Sequence, residues 1–233
     1  MRPLHQGAAR HAGAVAARRA HAHAGIGRSR AAAGTAGLIG AILAGGAGAR
    51  YGGAPKGLLA VGGCRIIDRI ADELRPVVSK IIIVSRDPGA AEWLPEARVI
   101  GDRHPERGSL VGLHAALAAA EDWVLAVAWD MPFVTRDLLA LVRDRALAAG
   151  RAAIPEGPRG PEPMCAAYPH AAAAVAASAI AAGDLKLARF IERLGAVERI
   201  PRAEIARLGD PERLFLNVNT PADLERAERL ASR

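Results

Sequence analysis

The most constraining feature of the sequence is the stretch of residues 37–59, which reads GLIGAILAGGAGARYGGAPKGLL. It begins with an apolar run, Leu38–Leu43, and continues into a segment rich in glycine. The apolar run predicts a buried strand, and glycines after such a strand let backbone N–H groups approach an anion closely. Arg50 and Lys56 add two cations to the same segment. The stretch therefore predicts a strand followed by a loop that binds a polyphosphate.

Other interpretations of these glycines fit less well. A dinucleotide-binding fingerprint that starts at Gly46 has Tyr51 at the position of its third glycine. A P-loop needs Gly-Lys followed by Ser or Thr, whereas Lys56 follows Pro55. A glycine-rich linker is the remaining alternative, although linkers are not usually preceded by a buried strand or supplied with two cations.

The composition favours an α/β domain that is nearly neutral. Hydrophobic residues make up 51% of the 233 residues but aromatic residues only 3%, which suits helices packed closely on a sheet. Six of the 31 Lys and Arg residues lie within residues 1–37, which hold no acid, and the other 25 stand against 24 acidic residues. The net charge of +7 therefore describes the amino-terminal segment and does not indicate a nucleic-acid-binding face.

The first 36 residues alternate Ala, Arg, His and Gly without a structural period, which predicts a disordered basic tail at 1–36. An organellar presequence or a misassigned translation start is also compatible with this segment. Residues 37–233 are then expected to form one domain. Cys64 and Cys165 lack metal-ligand spacing, and no apolar run approaches the roughly 20 residues of a membrane span. The sequence thus predicts a cytoplasmic protein without membrane or nucleic-acid partners.

Apolar runs that alternate with amphipathic segments predict a doubly wound sheet. Helices are expected at Ile66–Leu74 and Thr135–Ala149, and strands at Lys80–Ser85, Val99–Ile100 and Trp123–Ala128. This order, with strands that are apolar throughout, predicts a three-layer α/β fold with a mostly parallel sheet. Further strands are predicted at Ala152–Ile154, Met164–Tyr168 and Phe215–Val218, and further helices at Ala171–Ala182 and Leu187–Leu194.

Capping residues predict where several helices start. Ser109, Thr135 and Thr220 each stand at the beginning of a helical pattern, and Pro221 follows Thr220 at the first helical position. The spacing of apolar residues in the helix that Thr135 starts is expected to turn Leu147 towards the core.

A carboxylate follows the predicted strand Trp123–Ala128. Asp130 stands just beyond that strand, at the carboxyl end where open α/β sheets bind ligands. Asp130 is therefore the candidate metal ligand, and the alternative is an aspartate that caps the turn before Pro132.

Four segments together resemble the signature of the MobA-like molybdenum cofactor guanylyltransferases, a family of nucleotidyltransferases. They are residues Leu43–Leu58, Gly108–Gly112, Asp130–Pro132 and Asn217–Leu224, the last of which reads NVNTPADL. The resemblance extends over about residues 38–230. Trp129 departs from the family pattern, which has a cysteine beside the aspartate.

The resemblance implies a Rossmann-like nucleotidyltransferase fold and the transfer of GMP from GTP to molybdenum-molybdopterin, with release of pyrophosphate. It implies Mg²⁺ as the cofactor and makes molybdoenzyme-specific chaperones candidate partners. The closest alternatives are a molybdopterin cytidylyltransferase or another NTP-dependent nucleotidyltransferase. A non-catalytic nucleotide-binding module is the alternative from a different class, against which the presence of both Lys56 and Asp130 argues.

The resemblance also assigns roles to single residues. Arg50, Lys56 and Asp130 are the candidate catalytic residues, and Asn219 is a second candidate metal ligand beside Asp130. The candidate GTP-binding residues are Leu43, Ala44, Gly45, Gly46, Lys56, Arg86, Asp102 and Asp130.

Three assignments keep a structural alternative. Asp102 is associated with the guanosine, but contact with the ribose or a capped loop is equally compatible with its position. Arg159 either faces the second substrate or is a solvated loop residue. Asn217 is expected to stabilise a turn rather than to border the metal.

Overall fold

The computed structural model describes four parts of the chain, which are residues 37–45, 55–101, 104 and 106–232. The contacts separate Met1–Ala36 from Gly37–Arg233, and all four parts belong to the second unit. The predictions made for residues 1–36 therefore lie outside the described residues. Within the four parts, no helix is both long and apolar enough to cross a membrane.

Strands and helices alternate along the described chain. The strands are β1 (Leu38–Leu43), β2 (Ala60–Val61), β3 (Cys64–Arg65), β4 (Lys80–Val84), β5 (Arg98–Ile100), β6 (Trp123–Ala128), β7 (Ala153–Gly157), β8 (Gly160–Pro161), β9 (Cys165–Pro169) and β10 (Glu198–Ile200). The helices are α1 (Ile66–Leu74), α2 (Ser109–Ala119), α3 (Arg136–Ala149), α4 (Ala172–Ala181), α5 (Leu187–Arg193), α6 (Arg202–Ile205), α7 (Pro211–Leu214) and α8 (Pro221–Ala231). Short 3₁₀ turns lie at Lys56–Leu58 and Pro88–Glu92.

The central sheet has the spatial order β10-β7-β9-β6-β1-β4-β5, and β8 pairs with β7. Strand β1 pairs in parallel with both β4 and β6, and β4 pairs in parallel with β5. Strand β9 runs antiparallel to β6 and β7, while β10 is parallel to β7. The prediction of a mostly parallel sheet is confirmed, and the exceptions among the described strands are β9 and the short β8, which are antiparallel to their neighbours.

Helices cover both faces of this sheet. On one face, α1 and α3 pack over strand residues such as Ile42 and Leu125. On the other face, α2, α4 and α5 pack over the alternate strand residues, such as Ile39 and Val124. Burial on both faces explains why these strands are apolar throughout, and it confirms the predicted three-layer arrangement.

The predicted strand Phe215–Val218 is wrong. Its apolar residues are buried, but they pack against the core without joining the ladder of the sheet. The Val218 amide donates instead to the carbonyl of Asp130 at 2.8 Å, and the Asn217 Nδ2 donates to the Phe215 carbonyl at 3.0 Å. Burial without strand pairing explains the apolar pattern, and the local bond of Asn217 is the one expected of a residue that stabilises a turn.

The capping predictions are confirmed at two helices and wrong at one. Thr135 Oγ1 accepts from the Leu138 amide at 3.4 Å, and Thr220 caps α8 with Pro221 at the first turn. Helix α2 instead has Gly108 at its N-cap, so Ser109 is its first helical residue and makes no side-chain cap.

The inward orientation predicted for Leu147 is also wrong. Its side chain is 37% exposed, although the neighbouring Ala146 on the same helix is buried. With 3.6 residues per turn, Leu147 lies about 100° around the helix from Ala146 and so falls outside the buried side of α3.

Candidate active site

The parallel pairing of β1 with β6 brings two predicted site segments together. The register sets Leu43 beside Ala128, and each is the last residue of its strand. The Trp129 amide donates to the Leu43 carbonyl at 3.4 Å. Asp130 therefore follows β6 at the edge of the sheet where the glycine-rich segment leaves β1. This carboxyl edge is the predicted position of the site.

Two residues that follow β1 differ in what they can offer a ligand. The Ala44 amide donates to the Val84 carbonyl at 2.9 Å, so the sheet already uses this amide. Gly45 is exposed, and a Cβ built on it would meet nothing within 4 Å. Gly46 and Arg50 lie outside the described residues, so their phosphate contacts stay predictions.

Lys56 connects the glycine-rich segment to the last motif of the chain. It starts the 3₁₀ turn Lys56–Leu58, and its ammonium donates to Oδ1 of Asn219 at 2.8 Å. The Asn219 amide in turn donates to Oδ2 of Asp223 at 3.0 Å, which fixes the backbone at Asn219. The sequence analysis made Asn219 a candidate metal ligand, but it did not predict this hydrogen bond to Lys56.

Asp223 is a residue of the site that the sequence interpretation missed. Its Oδ2 accepts from the Thr220 amide at 2.8 Å and from Thr220 Oγ1 at 2.9 Å, while its own amide donates back to Thr220 Oγ1. Burial opposes ionisation, but these hydrogen bonds and that from Asn219 outweigh it and lower the pKa of Asp223. The Thr-x-x-Asp spacing of a capping box could have predicted this interaction.

The carboxyl group of Asp130 is buried, and the positive charge of Lys56 offsets only part of the cost of ionising it. Burial raises the pKa of its carboxyl group, the Lys56 ammonium acts in the opposite direction, and Asp223 acts in the same direction as burial. The bond from the Val218 amide to the Asp130 carbonyl keeps residues 218–223 beside it. A carboxylate in this state is stabilised by any cation that binds next to it.

Asp130 offers one carboxylate ligand to a divalent cation. Within the described ranges, no three His, Cys, Asp or Glu side chains form a metal-binding group. A cation at Asp130 would therefore take its remaining ligands from substrate phosphates and water, which is the usual coordination of Mg²⁺. Asn219 Oδ1 already accepts from Lys56, so a metal-binding role for Asn219 stays a prediction.

An aromatic contact that the sequence did not predict supports the Lys56 turn. Trp129 stacks on Trp93 with ring centroids 5.3 Å apart and an interplanar angle of 25°. The Trp129 ring also lies directly against Gly57, where an added Cβ would come within 2.6 Å of its Cε3 atom. The absence of a Cβ at Gly57 therefore lets the turn lie directly against the indole of Trp129.

We expect Gly57→Ala to lower both stability and turnover, because the new methyl group must displace the Trp129 ring or the turn that carries Lys56. Overpacking of this kind costs about 1–3 kcal/mol in the free energy of unfolding. Urea denaturation would measure the cost. Gly112→Ala on α2 is the matched control, since its Cβ would meet only Val84 at an ordinary 3.9 Å. Normal stability and turnover in Gly57→Ala would show that the ring does not hold the turn.

Arg86, a candidate GTP-binding residue, contacts the loop that precedes α2. Its guanidinium donates to the carbonyls of His104 and Glu106, the latter at 2.7 Å. Asp102 lies outside the described residues, so its contact with guanine stays a prediction. Arg159 is exposed in the turn between β7 and β8.

Comparisons with known proteins agree with this geometry. Residues 40–198 match the family model described as the MobA-like NTP transferase domain. A molybdenum cofactor guanylyltransferase from Cereibacter sphaeroides is 38% identical over 200 residues, which cover 83% of this chain and 96% of that protein.

Solved structures show the same relationship. The crystal structure of molybdopterin-guanine dinucleotide biosynthesis protein A from Archaeoglobus fulgidus has a TM-score of 0.72 and 34% identity. It covers 83% of this chain and 98% of its own. The 2-C-methyl-D-erythritol 4-phosphate cytidylyltransferase from Thermus thermophilus, at 22% identity, shares the fold with a TM-score of 0.61 and covers 84% and 100% of the two chains. Both the family match and the close relatives extend over most of the chain, which therefore belongs to the MobA-like NTP transferase family.

Proposed function

We propose that this enzyme transfers GMP from GTP to molybdenum-molybdopterin, giving the guanine dinucleotide form of the molybdenum cofactor and pyrophosphate. The observation that carries the proposal is the convergence of Lys56, Asp130 and Asn219 at the carboxyl edge of the sheet, beside the glycine-rich segment. The names of the guanylyltransferase relatives support the choice of substrates.

The reaction joins two anionic groups, so its main requirements are alignment and neutralisation of charge. A terminal phosphate oxygen of molybdopterin attacks the α-phosphorus of GTP. The bond from that phosphorus to the bridging oxygen of the β-phosphate breaks, and pyrophosphate leaves with the bond's electron pair. No protein nucleophile is needed for this displacement.

Lys56 is the described residue best placed to neutralise the phosphates. Its hydrogen bond to Asn219 and the charge of Asp130 hold the ammonium at the edge of the sheet. Lys56 is only partly buried there, so a phosphate can reach it. We assign the β- and γ-phosphates to Arg50 and to the backbone amides of residues 45–48, since charge-assisted donors stabilise a departing pyrophosphate.

Nucleotidyltransferases of this family generally use a divalent metal ion, and we propose Mg²⁺ for this chain. Asp130 would hold it, because burial leaves that carboxylate in need of a cation. When bound, the ion supplies charge neutralisation to the phosphates that Lys56 alone cannot provide.

Selection of guanine requires an acceptor for the N–H donors on its Watson–Crick edge. We propose Asp102 for this role, because it follows β5 and precedes the loop that Arg86 contacts. An acceptor left unpaired by the wrong base costs roughly 1–3 kcal/mol, so GTP should be preferred over CTP and ATP by about ten- to a hundredfold.

An assay with equimolar GTP, CTP and ATP, together with Mg²⁺ and molybdenum-molybdopterin, tests the proposed function. We expect GTP to be consumed first with release of pyrophosphate, and Asp102→Ala to reduce that preference. Consumption of CTP first would replace the proposal with a cytidylyltransferase, and absence of turnover with all three would favour a nucleotide-binding module.

We also propose that residues 1–36 are dispensable for this activity. The same assay on a protein that comprises residues 37–233 tests this, and a loss of turnover would contradict it.

Two further assignments are proposals about the cellular setting. Both described cysteines are free, which is typical of a reducing compartment, and we propose the cytoplasm. We also propose that molybdoenzyme-specific chaperones receive the product. Co-purification of such a chaperone with the cofactor-loaded enzyme would test this assignment, and its absence from a loaded complex would count against it.

A further inference from the structure

Two histidines contact each other where the loop between β5 and α2 meets helix α2. His104 belongs to the loop, and its Nε2 atom lies 3.1 Å from Nδ1 of His114 on the helix. Their ring centroids are 5.0 Å apart with an interplanar angle of 63°, which is an edge-to-face contact. The two rings therefore share one hydrogen bond, which needs a donor nitrogen on one ring and an acceptor nitrogen on the other.

Helix α2 gives His114 a fixed position. Its apolar residues Leu110 and Leu113 are buried in the same layer of the core as Val84 of β4. Gly112 also lies over the end of β4, where an added Cβ would meet Val84 at 3.9 Å. His114 follows two residues later and is partly buried. The histidine contact thus connects the loop to an element that core packing holds in place.

The loop begins at the edge of the sheet where the nucleotide is expected. Parallel pairing aligns Leu43 with Val84 and Val84 with Ile100, so β1, β4 and β5 end side by side. The glycine-rich segment leaves β1 at this edge, and the loop that contains His104 leaves β5 there. A nucleotide with its phosphates at the glycine-rich segment can therefore place its base against this loop.

Arg86 and His114 hold the loop in different ways. The guanidinium of Arg86 donates to the backbone carbonyls of His104 and Glu106, and it stays charged at every pH that a folded protein tolerates. His114 instead holds the side chain of His104 through a bond between two imidazoles. Acid can therefore break the contact with His114 but not the contacts with Arg86.

Building on the proposed function, we propose that His114 is a positioning residue for GTP, because its hydrogen bond to His104 holds the loop where the base binds. The bond is present before the nucleotide arrives, so binding does not have to order the loop. Loss of the bond should weaken the interaction with the base. It should leave the phosphate contacts assigned to Lys56 and the glycine-rich segment unchanged.

Equilibrium binding of GTP with Mg²⁺, without the second substrate, tests this assignment. We expect His114→Leu to weaken GTP binding by about three- to tenfold, as the loss of one hydrogen bond does, and to weaken CTP binding less. His104→Ala removes the other half of the bond from the loop and should have the same effect. The double variant should bind GTP no more weakly than either single variant. In turnover, His114→Leu should raise the KM for GTP with little change in kcat.

His170→Leu is the matched control for His114→Leu. His170 Nδ1 donates to the Leu117 carbonyl at 3.0 Å, so it also contacts α2, but near the carboxyl end of the helix. This control should bind GTP with the wild-type affinity. An equal loss of affinity in His170→Leu would mean that any disturbance of α2 weakens binding, and the inference would be wrong.

The pH dependence separates a positioning role from a purely structural one. One added proton leaves the pair with a donor and an acceptor, but a second makes both facing nitrogens donors and breaks the bond. Burial, and then the charge of His104, lower the pKa of His114 below its ordinary value of 6.5. Wild-type affinity for GTP should therefore fall between about pH 7 and pH 5.

His114→Asn should lack this fall. Asparagine keeps an acceptor oxygen near the position of Nδ1, and it cannot be protonated in this range. The affinity ratio of the two proteins at each pH removes the effect of phosphate ionisation, because the nucleotide is the same in both measurements.

The ionisable groups around the pair lie on three segments. In the loop, Glu106 Oε2 is 3.9 Å from Nδ1 of His104, and Arg107 is exposed beside it. Helix α4, which packs on α2, has no ionisable residue. The segment that carries α5 contributes five such residues, which are Asp184, Lys186, Arg189, Glu192 and Arg193. Among the described residues, His104 is the one whose charge shifts the pKa of His114, so the expected fall in affinity is assigned to the pair.

The outcomes separate this inference from the proposed function. If His114→Leu binds GTP as tightly as the wild type, or weakens GTP and CTP binding equally, His114 does not position the loop and the proposed function is unaffected. The same conclusion follows if His114→Asn loses affinity in acid as the wild type does. If the wild type prefers CTP, the proposed guanylyltransferase is wrong, and the same variants compared with CTP decide the inference. Failure of the wild type to bind any nucleotide would overturn both.

Discussion

Asp130→Asn is expected to lower kcat by about a hundred- to a thousandfold while leaving the melting temperature unchanged or slightly raised. The loss follows from removing the charge that would hold the metal ion opposite the phosphates, and removal of one preorganised electrostatic group typically has this effect. The stability effect has the opposite sign because burial raises the pKa of Asp130 in the folded protein.

The sign of the stability effect follows from proton linkage. A carboxyl group with a raised folded-state pKa binds its proton more tightly in the folded chain, so stability falls as the pH rises above the unfolded value near 4. At neutral pH the ionised Asp130 therefore lowers the free energy of unfolding, and asparagine removes this contribution. Thermal unfolding at pH 5 and pH 7.5 would measure the difference between the two proteins.

Asp137→Asn is the matched control for this substitution. Asp137 is exposed in the first turn of α3, seven residues further along the chain. The control should retain full turnover, with at most a small loss of stability from the weaker helix-dipole interaction. A normal kcat with normal Mg²⁺ dependence in Asp130→Asn would show that Asp130 only stabilises the turn after β6.

Lys56→Ala is expected to lower kcat by about a hundredfold or more, because the variant lacks the ammonium that neutralises the reacting phosphates. Lys56→Arg should retain part of the activity, since the charge remains while its position changes. Pre-steady-state measurement of pyrophosphate release would show that the chemical step is affected. Lys80→Ala is the control, because Lys80 is exposed at the start of β4, at the opposite edge of the sheet.

Asn219→Ala separates positioning from charge. It keeps the positive charge of Lys56 but removes the oxygen that accepts from the ammonium at 2.8 Å and helps to position it. We expect a smaller loss of kcat than in Lys56→Ala, and little further loss when both substitutions are combined, because residues that act as a unit are not additive. A fully additive double variant would show that Asn219 acts separately from Lys56.

Much of the fold was predictable because its strands are buried on both faces and two of its helices begin at recognisable threonine caps. The predicted bounds of α1 and β6, and the caps at Thr135 and Thr220, agree with the structure. Phe215–Val218 could not be distinguished from a strand, because burial produces the same apolar pattern whether or not the backbone pairs. Ser109 failed as a cap because the preceding Gly108 takes the N-cap position.

Residues of the site that belong to a sequence motif could be predicted. Contacts between segments that are far apart in the sequence could not. The positions of Asp130 and Lys56 at this edge could be predicted, because strand ends and glycine-rich segments have recognisable sequence patterns. The contact of Trp129 with Gly57 depends on three-dimensional packing, which sequence spacing alone does not encode.

The stack of Trp93 on Trp129 has an optical consequence. Two indoles whose centroids are 5.3 Å apart couple their electronic transitions, and the coupling depends on their separation and relative angle. Because Gly57 lies against one of these rings, a nucleotide that moves the Lys56–Leu58 turn also moves one indole relative to the other. We therefore expect near-ultraviolet circular dichroism of the unlabelled protein to change when a bound nucleotide displaces this turn.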